Sequence, residues 1–109
     1  MTENVRLVKK WREAVGPDFA LMIDCYMSLT VPYAIELARR CEEYNVKWIE
    51  ETLPPDDYEG YSKIKEKISS TLLTTGEHEY TRWVLETNID FVEMCVHLSN
   101  STYPLGVYC

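Results

Sequence analysis

Three acidic residues, Asp24, Glu50 and Glu77, each directly follow a short run of residues typical of a buried strand. Each run is in turn followed by a helical pattern, and the acids are separated by about the length of one strand-helix unit. Carboxylates at equivalent ends of parallel strands meet at the carboxyl edge of the sheet, where α/β folds place their chemistry. The spacing therefore predicts that the three side chains converge.

Three converging carboxylates repel one another and are costly to desolvate unless a cation lies between them. Their oxygen atoms favour Mg²⁺ over zinc or copper. The alternative is three solvated acids at strand ends. Strand alternation places Glu51 on the opposite face, which predicts a structural or supporting group. His78 is a candidate acid or base, and the alternative is a polar rim residue that orients a neighbour.

The remaining pattern predicts an α/β fold that begins with a helix over 4–15, ended by Gly16 and Pro17. Strands are expected at about 19–24, 46–52, 71–75 and 89–96, and helices at about 30–44, 58–68 and 80–86. Four parallel strands alternating with helices form part of a (β/α) TIM-type barrel. A complete barrel takes about 250 residues, and this chain has 109.

Period-two alternation assigns each strand residue to one of two faces. In the first strand it turns Leu21, Ile23 and Cys25 towards helices, with Ala20, Met22 and Asp24 on the inner face. In the second strand it groups Val46, Trp48 and Glu50, opposite Ile49 and Glu51.

Composition excludes several classes of protein. Hydrophobic residues make up 46% of the chain and charged residues 27%, as in a folded globular protein. A net charge of −7 and the lack of a basic stripe argue against nucleic acid as a partner. No apolar run approaches the roughly 20 residues that span a membrane. The four cysteines have no zinc or CxxC spacing, so we expect free thiols and a cytoplasmic location.

Four segments together resemble one family, the enolase superfamily. They are Ile23-Asp24-Cys25-Tyr26-Met27-Ser28, Lys47-Trp48-Ile49-Glu50-Glu51-Thr52-Leu53-Pro54-Pro55, Tyr58-Glu59-Gly60-Tyr61 and Thr75-Gly76-Glu77-His78. Within it, the chain is most similar to the mandelate racemase-like acid-sugar dehydratases, above all the L-rhamnonate dehydratases. The resemblance implies that Asp24, Glu50 and Glu77 are inherited Mg²⁺ ligands. It also implies a sugar-acid substrate, which loses the proton next to its carboxylate, passes through an enediolate and then loses water.

The sequence also departs from this family. Cys95 stands where the resemblance implies an aspartate that orients a histidine base, and that base is expected beyond Cys109. The capping domain of the family is not represented either. We therefore interpret residues 1–96 as a fragment of the barrel domain and 97–109 as a divergent tail that includes His97. The chain alone is expected to be inactive.

A second hypothesis is a non-catalytic fragment or interaction module. A partial barrel leaves strand edges and one apolar sheet face uncovered. Such a chain is expected to self-associate or to pair its exposed strands with a partner chain. A small doubly wound receiver-type domain would also place acids at strand ends. It requires adjacent acids after the first strand and a lysine closing the last strand, which this sequence lacks.

Overall fold

The computed structural model describes residues 1–78, in which helices and strands alternate. The elements are α1 (Thr2–Val15), β1 (Leu21–Asp24), α2 (Val31–Cys41), β2 (Val46–Glu50), α3 (Tyr58–Lys65) and β3 (Leu72–Thr74), with a 3₁₀ turn at Glu42–Tyr44 between α2 and β2. Each predicted element in this part of the chain is confirmed. The predicted helix 80–86, the fourth strand 89–96 and the tail 97–109 lie outside the described residues.

The three strands form one parallel sheet in the order β1-β2-β3. Asp24 is aligned with Glu50, and Glu50 with Thr74. Since parallel neighbours need a crossover, α2 and α3 connect consecutive strands. This is the arrangement expected of part of a (β/α) TIM-type barrel.

The two sheet faces differ sharply in burial. Ile49 and Leu73 lie on the helix-covered face, where 1% and 4% of their surface is exposed. On the other face Met22 and Leu72 are each 41% exposed, with the half-buried Trp48 aligned between them. Within residues 1–78 this second face is therefore open.

The helices contribute one apolar side each to the core. In α2 this side is Ala34, Leu37, Ala38 and Cys41, all buried. Asp57 is the N-cap of α3, and its carboxylate accepts a 2.9 Å hydrogen bond from the Gly60 amide. A Cβ atom at Gly60 would overlap the Asp57 carboxylate and come within 2.6 Å of Leu53 Cδ1. The close approach of this helix to the preceding loop therefore requires glycine.

Arg12 connects the elements at the amino end of the sheet. Its guanidinium donates to the carbonyl oxygens of Tyr44 (2.7 Å), Asn45 (3.0 Å), Gly16 (2.7 Å), Phe19 (2.8 Å) and Pro17 (3.4 Å). These carbonyls belong to the segments that precede β1 and β2. One side chain of α1 therefore fixes where both strands begin.

The prediction from strand alternation was wrong for Val46, the first residue of β2, which it grouped with Trp48 and Glu50. Val46 is 1% exposed and packs in the core with Leu37 and Ile49, instead of sharing the open face with Trp48. The pairing with β1 explains this, because the register shifts between Leu21 and Met22, which face Val46 and Trp48 respectively. The irregularity turns Val46 towards the helices.

Cys25 and Cys41 are free and buried, in agreement with the sequence prediction, while Cys95 and Cys109 lie outside the described residues. Burial is the main reason that the pKa of Cys25 is raised to about 12 and that of Cys41 to about 11. Both thiols are therefore structural groups. Among residues 1–78, none of the helices has the length and apolar character needed to cross a membrane.

Candidate metal centre

Asp24 and Glu50 end adjacent strands, at the same level of the carboxyl edge. The Asp24 carboxylate accepts a 3.0 Å hydrogen bond from the Tyr26 amide, and the Glu50 carboxylate accepts one of 3.2 Å from the Trp48 indole. Asp24 is exposed and Glu50 is half-buried. Both acids are thus held in place locally, and both remain accessible on the open side of the sheet.

The backbone keeps its parallel pairing for several residues beyond the strand ends. The amides of Cys25, Met27 and Leu29 donate to the carbonyls of Glu50 (2.9 Å), Glu51 (2.6 Å) and Thr52 (3.0 Å) respectively. The Glu51 amide donates to Thr74 at 2.9 Å. These bonds hold the loops after β1 and β2 side by side at the rim.

The rim contains an unusual set of backbone conformations. Tyr26, Met27 and Glu51 have φ values of 44°, 57° and 45°, and Gly76 has a φ of 126°. Residues other than glycine rarely adopt this left-handed region, because their Cβ atom then crowds the following carbonyl oxygen. Residues of this kind cluster at functional sites, where the surrounding structure holds them in place.

The orientation predicted for Glu51 was wrong. Its left-handed backbone interrupts strand alternation directly after Glu50. The Glu51 side chain consequently approaches His78, with 3.8 Å between Oε1 and Nδ1, and only 2% of the residue is exposed. The sequence did contain a signal for this turn, since Pro54 and Pro55 follow too closely for the strand to continue.

Glu77 and His78 lie in the turn that follows β3, just after Gly76. His78 Nδ1 is 3.8 Å from Glu77 Oε1, and the imidazole meets the Tyr26 ring edge-on with 6.4 Å between centroids. Glu77 is exposed and His78 is half-buried. The third acid thus reaches the same edge as the first two.

The structure groups the predicted residues differently from the sequence. Glu51, Glu77 and His78 each offer one ligand atom, and these three atoms lie within 4.8 Å of one another. Asp24 and Glu50 are not members of that cluster. The edge thus carries the predicted Asp24, Glu50 and Glu77, and beside Glu77 a buried carboxylate and an imidazole.

The pKa of Glu51 is raised, chiefly because burial penalises its charged form. His78 opposes this effect, while Glu77, Asp24 and Glu50 add to it by repulsion. All four of these groups are therefore near enough to act on Glu51. In the described part of the chain no lysine or arginine forms an ion pair with the carboxylates at this edge, which are Asp24, Glu50, Glu51 and Glu77. A set of acidic oxygens that no lysine or arginine neutralises fits Mg²⁺.

The parallel sheet and its acidic carboxyl edge are features of a (β/α)-barrel domain with a site for a divalent cation. Residues 1–96 match the model of the enolase C-terminal domain-like family, and the chain belongs to that family.

The chain is 54% identical over 81 residues to L-rhamnonate dehydratase of Saccharopolyspora erythraea. The aligned segment covers 73% of this chain and 21% of that protein. Rhamnonate dehydratase from Gibberella zeae, in complex with Mg, is 48% identical with a TM-score of 0.78, covering 82% of this chain and 22% of that one. A racemase from Streptomyces coelicolor A3(2) with bound magnesium is 34% identical with a TM-score of 0.77, and the match covers 82% of this chain and 25% of the racemase. The chain therefore spans a quarter or less of the length of each of these relatives.

Proposed function

We propose that this chain is the metal-binding part of a Mg²⁺-dependent acid-sugar dehydratase whose substrate is L-rhamnonate or a close analogue. The observation that carries the proposal is the alignment of Asp24 with Glu50 at the carboxyl edge, with Glu77 in the turn after β3. The dehydratase relatives named above and the magnesium present in two relatives support it.

Asp24, Glu50 and Glu77 would hold the ion, each through carboxylate oxygen. When bound, Mg²⁺ polarises the carboxylate of a sugar acid and stabilises the negative charge that develops after loss of the neighbouring proton. The hydrogen bonds from the Tyr26 amide and the Trp48 indole keep Asp24 and Glu50 oriented. His78 lies close enough to the cluster to orient a neighbour or to transfer a proton.

Thermal unfolding with and without Mg²⁺ tests this proposal. A ligand at 100 times its Kd stabilises the fold by about 2.7 kcal/mol, and each kcal/mol moves the midpoint of a domain this size by about 4–8 °C. We expect Mg²⁺ to raise the midpoint of the wild-type chain, and Asp24→Asn and Glu50→Gln to abolish most of the shift. Asp18→Asn is the matched control, because Asp18 is an exposed acid at the amino end of β1. A Mg²⁺ effect that is absent, or that survives in both site variants, would contradict the proposal.

We expect the 109 residues alone to leave L-rhamnonate unchanged, since binding a cation without a positioned base does not remove the proton. The chain spans 22% of the Gibberella zeae enzyme, so most residues of that enzyme have no counterpart here. Incubation with L-rhamnonate and Mg²⁺, followed by detection of the dehydrated product, checks this. Turnover above the background rate would show that the chain is a complete catalyst.

The alternative function is a non-catalytic module that pairs its exposed strands with another chain. One observation favours it: β1 is the first strand of the sheet, and within residues 1–78 its outer edge has no neighbouring strand. Unpaired amides and carbonyls on such an edge can bond to an added strand. Sedimentation velocity over a concentration series tests this possibility, because a chain that pairs this edge with a second copy sediments faster as its concentration rises.

A further inference from the structure

A second cluster at the carboxyl edge has the composition of a metal site of another type. It consists of Glu51, Glu77 and His78, whose potential ligand atoms lie within 4.8 Å of one another. It shares Glu77 with the proposed Mg²⁺ site but uses neither Asp24 nor Glu50. It also adds a nitrogen donor, which a magnesium site built from carboxylates does not have.

Glu51 supplies an independent reason to expect a ligand there. Only 2% of this residue is exposed, and within residues 1–78 the polar partner of its carboxylate is the His78 imidazole. His78 Nδ1 at 3.8 Å is too distant for a normal hydrogen bond. A buried carboxylate in this state is costly unless a cation compensates its charge.

We infer that Glu51, Glu77 and His78 form a second cation site, which takes a divalent transition ion such as Zn²⁺. Imidazole nitrogen with carboxylate oxygen suits Zn²⁺ better than Mg²⁺. Ligand atoms bonded to Zn²⁺ at about 2.0–2.1 Å in a tetrahedron lie about 3.3 Å apart. His78 Nδ1 is 3.8 Å from an oxygen of each carboxylate, so binding draws this nitrogen and each of the two oxygens together by about half an ångström.

Sharing Glu77 links the two sites. Because one carboxylate between two divalent ions is bound less strongly to each, Zn²⁺ in the second site weakens Mg²⁺ binding, and the reverse effect is equal. Zn²⁺ thus acts as an antagonist of the magnesium-dependent function. Binding of Zn²⁺ itself depends on residues outside the proposed Mg²⁺ set, so the two proposals can fail separately.

Calorimetric titration of the metal-free chain with Zn²⁺ tests this inference, after exposed thiols have been alkylated. We expect one Zn²⁺ per chain, with affinity lowered about tenfold or more in His78→Asn and in Glu51→Gln. Asp18→Asn and His97→Asn are the matched controls and should bind Zn²⁺ as the wild type does, since Asp18 is an exposed acid at the amino end of β1. In protein labelled with ¹⁵N-histidine, Zn²⁺ should shift the Nδ1 resonance that is missing from the spectrum of His78→Asn.

Three results would overturn the inference. The first is no Zn²⁺ binding by the wild-type chain. The second is binding that Asp24→Asn removes and His78→Asn leaves intact, which would place Zn²⁺ in the magnesium site. The third is binding lost in His97→Asn. If the chain binds Zn²⁺ as expected but does not bind Mg²⁺, the inference of a second site stands and the proposed function is refuted.

Discussion

Tyr61 is a single residue that holds the loop after β2 against α3. Its hydroxyl donates a 2.7 Å hydrogen bond to the Leu53 carbonyl and accepts one of 3.2 Å from the Leu53 amide. The residue is 1% exposed, so neither Leu53 group can turn to water if the hydroxyl is removed. The position of this loop therefore depends on one phenol.

We expect Tyr61→Phe to lower the free energy of unfolding by about 1–3 kcal/mol at neutral pH, because it leaves buried polar groups unpaired. Burial raises the pKa of Tyr61, so the folded chain keeps the phenolic proton to higher pH than the unfolded chain. The wild-type advantage is thus complete below the ordinary tyrosine pKa of about 10 and decreases as pH rises above it.

Denaturant unfolding from pH 7 to pH 11 measures this difference directly. Tyr26→Phe is the control, since Tyr26 is 70% exposed and its ring contact with His78 does not need the hydroxyl. A Tyr61→Phe variant as stable as the wild type at neutral pH would show that the two bonds to Leu53 contribute nothing.

Individual residues also show what sequence reasoning could reach at the site. The strand-end pattern was sufficient to place Asp24 and Glu50 at the same edge, as the structure has them. The orientation of Glu51 was not accessible in this way, because it depends on a backbone angle of 45° that alternation cannot represent. The cluster of Glu51 with His78 needs that angle, together with the turn after β3 that places His78.

At the scale of the elements, α1 is joined to the rest of the fold through the buried Val8, which packs in the core, and through Arg12. The guanidinium reaches five backbone carbonyls, in the segment after α1 and in the one before β2. A planar group with five N–H donors can satisfy this arrangement, and a lysine ammonium cannot.

We expect Arg12→Lys to destabilise the fold by about 1–3 kcal/mol, although the charge is retained. Arg6→Lys in the same helix is the control, because Arg6 pairs with the exposed Glu3 on the surface, where water and salt screen an ion pair and a lysine can replace the arginine. Thermal unfolding of both variants distinguishes them. Equal midpoints would mean that the charge of Arg12 matters and its shape does not.

The alternation of elements was predictable because apolar runs, helical stripes and the breaks at Gly16, Pro17 and Asn45 all agree with one another. The role of Arg12 was not predictable, since its partners are backbone carbonyls, which every sequence contains. Val46 was misassigned for a related reason, as its burial depends on a register shift in the pairing with β1.

At the scale of the whole molecule, the described residues leave several large apolar groups at the surface. Trp11 is 60% exposed and Phe19 58%, in addition to Met22 and Leu72 on the open sheet face. A groove of about 390 Å³ runs between α1 and β1 and includes Trp11 and Met22. Exposed apolar surface beside an unpaired strand edge favours association.

We expect the isolated chain to associate with itself as its concentration rises, and Met22→Lys to reduce that association by placing a charge on the open face. Ser69→Lys adds the same charge at an exposed position after α3 and serves as the control. Sedimentation velocity over a concentration series gives the result. A wild-type chain that stays monomeric at every concentration would rule out association through this face.

The two ends of the sheet differ in how firmly their backbone is held. Arg12 ties the amino end with five hydrogen bonds, while three non-glycine residues at the carboxyl edge hold left-handed conformations that cost about 1–2 kcal/mol each. Local opening is therefore easier at the carboxyl edge. Amide hydrogens there exchange with solvent sooner than those beside Arg12, and a bound cation, by holding the rim loops together, slows that exchange.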